Sequence, residues 1–345
     1  MGFQNEIGSR SVGFLGANLQ LNTLFFAFKN YHERISKEKI MPDLTPEMLA
    51  EISGFREEAH ANYFLSAPPE FVRPFRLEVK RIGSGWVITI PAVDNVTQNQ
   101  ILGLGVGEPL TESMLDEAIT VFQNTGCKNY MAAVSSFAQP AQYPEWFAAR
   151  GFKPGRNWVK MYRGNEPAPV ISTDLRVEKI GKDQADAYAD VILSVFGMTS
   201  AYRPLLQGNV GKPGWHHSLA FAGDKPVSAG AMFVKGEMAW MHLSGTLKMY
   251  RSRGAQSAML ARGIEMGLEL GCKWFIAETK EDTPDRPNPA YHNMMRYGFK
   301  LAYLEKCYYH QPPMSLVKKV RRVLFVASYG LKFGWQRLMQ QGKIG

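Results

Sequence analysis

Two stretches of the chain carry the same succession of apolar and polar positions. Residues 111–125 and 254–270 place apolar side chains at helical spacing and predict amphipathic helices. Each is followed by a run that reads as a buried strand, GCKNYMAAVS at 126–135 and GCKWFIAETK at 271–280. After each run come a loop, a short helical stretch and a Gly-Phe-Lys triplet, at 151–153 and 298–300. Both triplets lead into aromatic-rich strands, at 157–163 and 302–309. The first glycine of the run precedes the glycine of the triplet by 25 residues in one stretch and 27 in the other. Matching order and spacing predict two copies of one α/β unit. They join near 164–170, where GNEPAPV supplies turn and linker residues.

The second copy reads in more detail. A strand at 173–179 opens it and an amphipathic helix spans 183–197. Strands at 217–223, 226–234 and 238–247 follow, with turns at Gly223-Asp224 and Lys235-Gly236. Helix 254–270, strand 272–279, helix 289–296 and strand 301–309 complete it. The result is an α/β fold with a mixed sheet and helices on both faces. Residues 1–55 are helical in character, 43–60 especially, and stand outside the repeat. The division is therefore 1–55 as an extension, 56–165 and 170–310 as the two units, and 314–345 as a tail.

Composition narrows the class. With 345 residues, 45% hydrophobic, there is material for a packed core, and wholesale disorder is excluded. Three cysteines cannot staple a chain this long, and no Cys/His spacing suggests zinc, so a reducing, cytoplasmic compartment is expected and no metal. No run of 18 apolar residues exists to cross a membrane. The apolar stretch 13–28 lacks the basic start and cleavage site of a signal peptide, and Glu6 stands where myristoylation wants Ser or Thr.

The net charge of +9 is unevenly placed. Residues 314–345 hold seven basic side chains and no acid, leaving 33 basic and 31 acidic groups elsewhere. A nearly neutral body argues against a nucleic-acid surface spread over the fold. In the tail, Leu316, Val320, Val323, Ala327, Leu331 and Leu338 approximate one helical face, with Lys318, Lys319, Arg322, Lys332 and Arg337 elsewhere. Three readings stand: a helix on an anionic membrane surface, a clasp for a partner protein, or a helix docked on its own body.

One loop carries candidate chemistry. In SGTLKMYRSRGAQSAML, 244–260, a strand ends, Arg251, Arg253 and Gly254 follow, and a helix begins with Ala255, Gln256 and Ser257. Glycine permits close approach of backbone to ligand, and a helix start offers unpaired N–H groups and a positive dipole end to a phosphate. The same residues also describe a solvated basic turn capping an ordinary helix. Residues 173–310 with this loop resemble the GNAT family of acetyl-CoA-dependent N-acyltransferases. Its acyl-CoA loop has the form Arg/Gln-x-x-Gly-x-Gly/Ala. Arg251, Gly254 and Gln256 occupy those places, and Gln256 departs from the last. NPAYHNMMRYGF at 288–299 resembles the family's helix closing on Gly-Phe. Residues 56–163 resemble the same fold more weakly, so the chain resembles a tandem two-domain GNAT protein, each half a mostly antiparallel mixed sheet flanked by helices. The equivalent loop of the first half, GLGVGEPLTESML at 103–115, has Glu108 and Glu112, which repel a diphosphate, and reads as a degenerate copy.

The resemblance implies an acetyltransferase using acetyl-CoA as co-substrate and an amine as acceptor. Backbone groups of Leu243, Thr246 and Leu247 would hold the pantetheine arm, Arg251, Arg253, Gly254, Ala255, Gln256 and Ser257 the diphosphate, and Asn293 would hydrogen-bond the arm. Asn288 reads more simply as a helix cap. The family's usual proton donor is a Tyr four residues before the closing glycine, and that place holds Met294. Tyr291 and Tyr297 lie on the same helix, and Tyr291, one turn earlier, is the candidate acid. Glu278 and His242 are the candidate bases. His216 and His217, adjacent on a strand, face opposite ways and cannot share a metal. Cys127 and Cys272 fit small buried positions better than nucleophiles. The missing tyrosine and Gln256 keep a second reading open, a non-catalytic acyl-CoA-binding or interaction protein with the tail at a membrane surface. The acceptor itself is not legible.

Overall fold

The computed structural model describes residues 44–93 and 95–311. Most of the N-terminal extension and the basic tail lie outside the described residues.

Helix α1, Pro46–Leu65, starts where Thr45 accepts a hydrogen bond from the Met48 amide at 3.3 Å and proline fills the first helical position. It runs to residue 65 and is buried on most sides. A seven-residue helix α2, Pro69–Phe75, leads into the first half: β1, Glu78–Ile82; β2, Gly85–Thr89; β3, Gln100–Leu102; α3, Glu112–Thr125; β4, Tyr130–Ser135; α4, Tyr143–Ala149; β5, Lys153–Pro154; and β6, Trp158–Arg163. The second half follows: β7, Arg176–Ile180; α5, Ala185–Phe196; α6, Arg203–Asn209; β8, Trp215–Ala222; β9, Lys225–Lys235; β10, Met238–Thr246; α7, Ala255–Glu269; β11, Trp274–Lys280; α8, Pro289–Arg296; and β12, Lys300–His310. No helix among the described residues is long and apolar enough to cross a membrane.

All the strands join one sheet in the order β1-β2-β3-β4-β12-β6-β11-β10-β9-β8-β7, with β5 on β12. Neighbours are antiparallel except β3 with β4 and β10 with β11, the equivalent pair of each half. The halves exchange their last strands. β6 ends the first half yet pairs with β11 of the second, Glu278 opposite Lys160. β12 ends the second half yet pairs with β4 of the first, Cys307 opposite Ala133. β6 and β12 also pair with each other, Leu304 opposite Val159, so the two units form one continuous sheet.

Helices cover both faces. Residues of α1, α2, α5 and α6 share one apolar cluster with Ile88, Met131, Trp240 and Ile276. On the other face α3 and α4 cover the first half, and α7 with α8 the second. α1 spans both halves: Ser53 Oγ lies 3.1 Å from Ser135 Oγ on β4, and Asn62 accepts from Trp215 Nε1 on β8 at 2.8 Å. The helix expected to stand outside the repeat thus lies across the seam between its copies.

Candidate functional site

The two parallel strands of the second half stay together for three residues only. Met238, Ala239 and Trp240 of β10 pair with Trp274, Phe275 and Ile276 of β11, and there the ladder stops. β10 then bulges: His242 pairs with Ala231 and Gly245 with Ala229, so Leu243 and Ser244 together oppose Gly230. Leu243 takes φ +42°, a sparsely populated region for a γ-branched residue. The strands diverge beyond this point, and a cavity of about 530 Å3 opens along the divergence, lined from both faces of the sheet.

On one face the cavity is bounded by α7 and α8. α7 begins at Gly254, whose φ of +78° turns the chain sharply, and no side chain caps its first amides. Uncapped amides at a positive dipole end can take an anionic oxygen. Arg251 is exposed and its Nε donates to Thr246 O at 3.4 Å; among the described residues it has no carboxylate partner. Arg253 is ion-paired with Asp174 and lies over the Tyr250 ring. Gln256, Ser257, Asn293, Met294 and Tyr297 line the cavity. Two bonds tie the helices together there: Asn293 donates to Gln256 Oε1 at 3.0 Å, and Tyr297 to Ser257 Oγ at 2.7 Å. Asn288 caps α8, accepting from the Ala290 amide at 3.1 Å.

The equivalent places in the first half are occupied. Thr111 caps α3, accepting from the Met114 amide at 3.2 Å, and Glu112 pairs with Arg150 at 3.0 Å. Where β3 and β4 would diverge, the following chain bonds back across the gap: the Gln139 amide donates to Gly105 O at 3.1 Å, and Leu110 donates to Gln139 O at 2.7 Å.

On the face under α1 the cavity meets a buried ionic cluster. Arg56 donates to Glu57 at 2.7 Å and to Glu278 at 2.6 Å. Lys160, with no exposed side-chain area, pairs with Glu278 and, at 2.8 Å, with Glu305. Burial would raise the Glu278 carboxyl, but Arg56 and Lys160 outweigh it and hold the group well below the usual carboxylate range. Burial pushes Glu57 up to about 8, against the pull of Arg56. His60 and His242, ring centroids 6.3 Å apart, are both pushed down by burial, His242 to about 3, so both rings are neutral near pH 7. Lys280, its Nζ 3.6 Å from the Trp158 ring centre, is lowered by burial to about 8.

Of the residues expected from sequence, Glu278, His242, Leu243, Gln256, Ser257 and Asn293 meet at this cavity. Thr246 and Leu247 lie beyond it: Thr246 Oγ1 is 3.0 Å from Ser228 Oγ, and the Leu247 amide donates to Val227 O at 2.9 Å. Tyr291 packs against the apolar cluster under α8 and does not line the cavity, whereas Tyr297 does. His216 faces the cavity and His217 packs on Tyr188 behind the sheet, as alternation requires. Cys127 and Cys272 are buried, their thiols raised by burial. Among the described residues no group of His, Cys, Asp and Glu is placed to hold a metal ion. Sequence reasoning missed Arg56 and His60, Lys160 with Glu305, and Lys280 on Trp158. The available signal was a charge inside an otherwise apolar element, as in WVKMYR and YLEKCYY.

No protein-family model matches the chain, and no curated protein matches it. Solved structures do. A GCN5-related N-acetyltransferase from Kribbella flavida superposes with a TM-score of 0.54 at 12% identity, over 77% of this chain and 98% of that one. A tandem GNAT protein from the clavulanic acid biosynthesis pathway gives 0.53 at 14%, over 79% and 97%. A GCN5-related N-acetyltransferase from Sphaerobacter thermophilus gives 0.51 at 12%, over 67% and 82%. At these identities the likeness is one of fold: the chain has the GNAT fold in a two-unit arrangement.

Proposed function

We propose that the chain is an acetyl-CoA-dependent N-acetyltransferase acting by direct transfer, with its donor site in the second half. One observation carries this reading: the divergence of β10 and β11 opens toward an uncapped helix start flanked by Arg251, while its counterpart is capped and bridged. The diphosphate would lie on the first amides of α7 beside Arg251 and Arg253, and the arm would run between the strands past the Leu243 bulge, between α7 and α8. The tie between those helices would have to part for it.

In the reaction the amine nitrogen bonds to the thioester carbonyl, the C–S bond breaks, the amine loses a proton and the thiolate gains one. Glu278 is ionised and held by two cations, a better anchor for an incoming ammonium than a proton acceptor. His242 lies at the bulge with a buried Nε2 that has no hydrogen-bond partner among the described residues, so it is placed to accept that proton, although burial makes it a weak base. Tyr297 takes the donor role expected of Tyr291, because its hydroxyl is at the cavity. In this reading residues 56–165 are a degenerate unit whose Gln98 and Gln100 help wall the acceptor side. Met294, at the cavity where a tyrosine was expected, favours a second reading, an acyl-CoA-binding protein without catalysis.

Calorimetry with acetyl-CoA tests the proposal. Wild type should bind and the Arg251→Glu/Arg253→Glu variant should bind at least tenfold more weakly. No binding by wild type defeats it. Binding without thiol release across a panel of amines selects the second reading.

A further inference from the structure

Acetyl transfer needs room for one methyl group beyond the carbonyl; the cavity that would take the arm and the acceptor also extends into an apolar recess beneath α7 and α8. Its volume of about 530 Å3 falls within the roughly 300–1,000 Å3 of pockets that bury drug-sized ligands. The lining differs between the faces. Arg56, His60, Glu278 and Lys280 supply the polar side under α1. Beneath α7 and α8 the lining is dominated by Met232, Met241, Met259, Met266 and Met294.

Two glycines make space there. A Cβ on Gly230 of β9 would stand 3.1 Å from Met259 Cε, and one on Gly263 of α7 would strike Met241 Cε. A side chain at either place would displace a methionine into the chamber. Unbranched, polarizable methionines can swing aside for an apolar guest and repack when it leaves. The methionine side is uncharged, continuous with the divergence of β10 and β11, and on the same face as the open start of α7. His216 and Ser218 also line this side, but a charged acceptor finds no countercharge among the methionines, whereas an aliphatic tail attached to a thioester held in the divergence can reach them.

Resting on the reading that this divergence holds the thioester, we propose that the donor's acyl group is an aliphatic chain longer than acetyl, lodged among these methionines. Full burial of each added methylene tightens binding about fourfold.

The test is calorimetric titration of the full chain with acetyl-, butyryl-, hexanoyl- and octanoyl-CoA, which needs no knowledge of the acceptor. Hexanoyl-CoA should bind at least tenfold tighter than acetyl-CoA. Gly230→Val, filling the chamber, should cut that ratio to below threefold while still binding acetyl-CoA. If Gly230→Val does not fold, Ser218→Leu blocks the same chamber, since Ser218 Oγ lies 3.8 Å from Met266 Sδ. Acetyl-CoA binding with a hexanoyl gain below tenfold overturns this inference and leaves the acetyltransferase reading standing. A full gain retained in the folded blocked variant overturns the placement of the chain. No binding of any acyl-CoA defeats both.

Discussion

Lys160→Met should cost the protein several kcal/mol, more at high pH than at low. Lys160 sits on an exchanged strand, has no exposed side-chain area, and is the ion-pair partner of Glu305, itself 1% exposed. Glu278 would keep Arg56 after the change; Glu305 would keep no cation in contact. Breaking one side of a buried pair in this way costs about 3–5 kcal/mol, a fall in Tm of roughly 4–7 °C for a chain of 345 residues. Glu305 can relieve part of the penalty by taking a proton. Burial acts to raise its carboxyl, and at present Lys160 and Arg56 outweigh that and hold it low. Without Lys160 the raised group stays charged at pH 8 and is protonated more readily near pH 5, where the loss should shrink. Urea unfolding of both proteins at pH 5.5 and 8 measures it. A loss below 1 kcal/mol at pH 8, or one equal at the two pH values, would refute the reasoning. Lys160→Met/Glu305→Leu should recover most of the loss, because an apolar pair replaces the ionic one.

Glu57→Gln should gain stability relative to wild type as pH rises from about 5 to 8. The folded carboxyl holds its proton up to about 8, so that contribution is complete below the unfolded pKa and fades through 8, with a slope of at most about 1.4 kcal/mol per pH unit. Matched denaturant midpoints that track each other across this range would contradict it. Asn288→Ala should lower stability by about 1 kcal/mol through loss of the α8 cap, read as a shift in the urea midpoint. Tyr297→Phe should lower kcat about tenfold or more with little change in KM if its hydroxyl protonates the leaving thiolate. An unchanged kcat would remove that role.

Much of the frame was legible because it rests on local periodicity. The repeated succession of elements, helix 289–296 and the Gly-Phe closures all follow from patterns within one element and its neighbour. The glycine turn and helix start at 254–257 were legible for the same reason. The strand exchange was not. β6 and β12 have similar aromatic-rich patterns, and each satisfies either half equally well as a neighbour, so nothing local chooses the partner. Arg56 on α1 gives no local sign of burial, because charges are rarely buried without partners and the strand carboxylate it meets, Glu278, lies 222 residues away. The short helices α2 and α6, seven residues each, are too brief to show a period. The bulge at Leu243, which shapes the cavity, depends on pairing with β9 and leaves no mark in the sequence.

The exchange also sets a timetable for synthesis. β4 is complete at Ser135, but the strand that closes its free edge begins at Lys300. At about 5–20 residues per second a ribosome takes roughly ten to thirty seconds to make the intervening segment. Through that interval the first half carries an apolar strand with one side of its backbone unpaired, a template for any neighbouring nascent chain. A stop codon anywhere before β12 would leave that edge open permanently, so truncated products should be recovered as aggregates and not as a working half-protein.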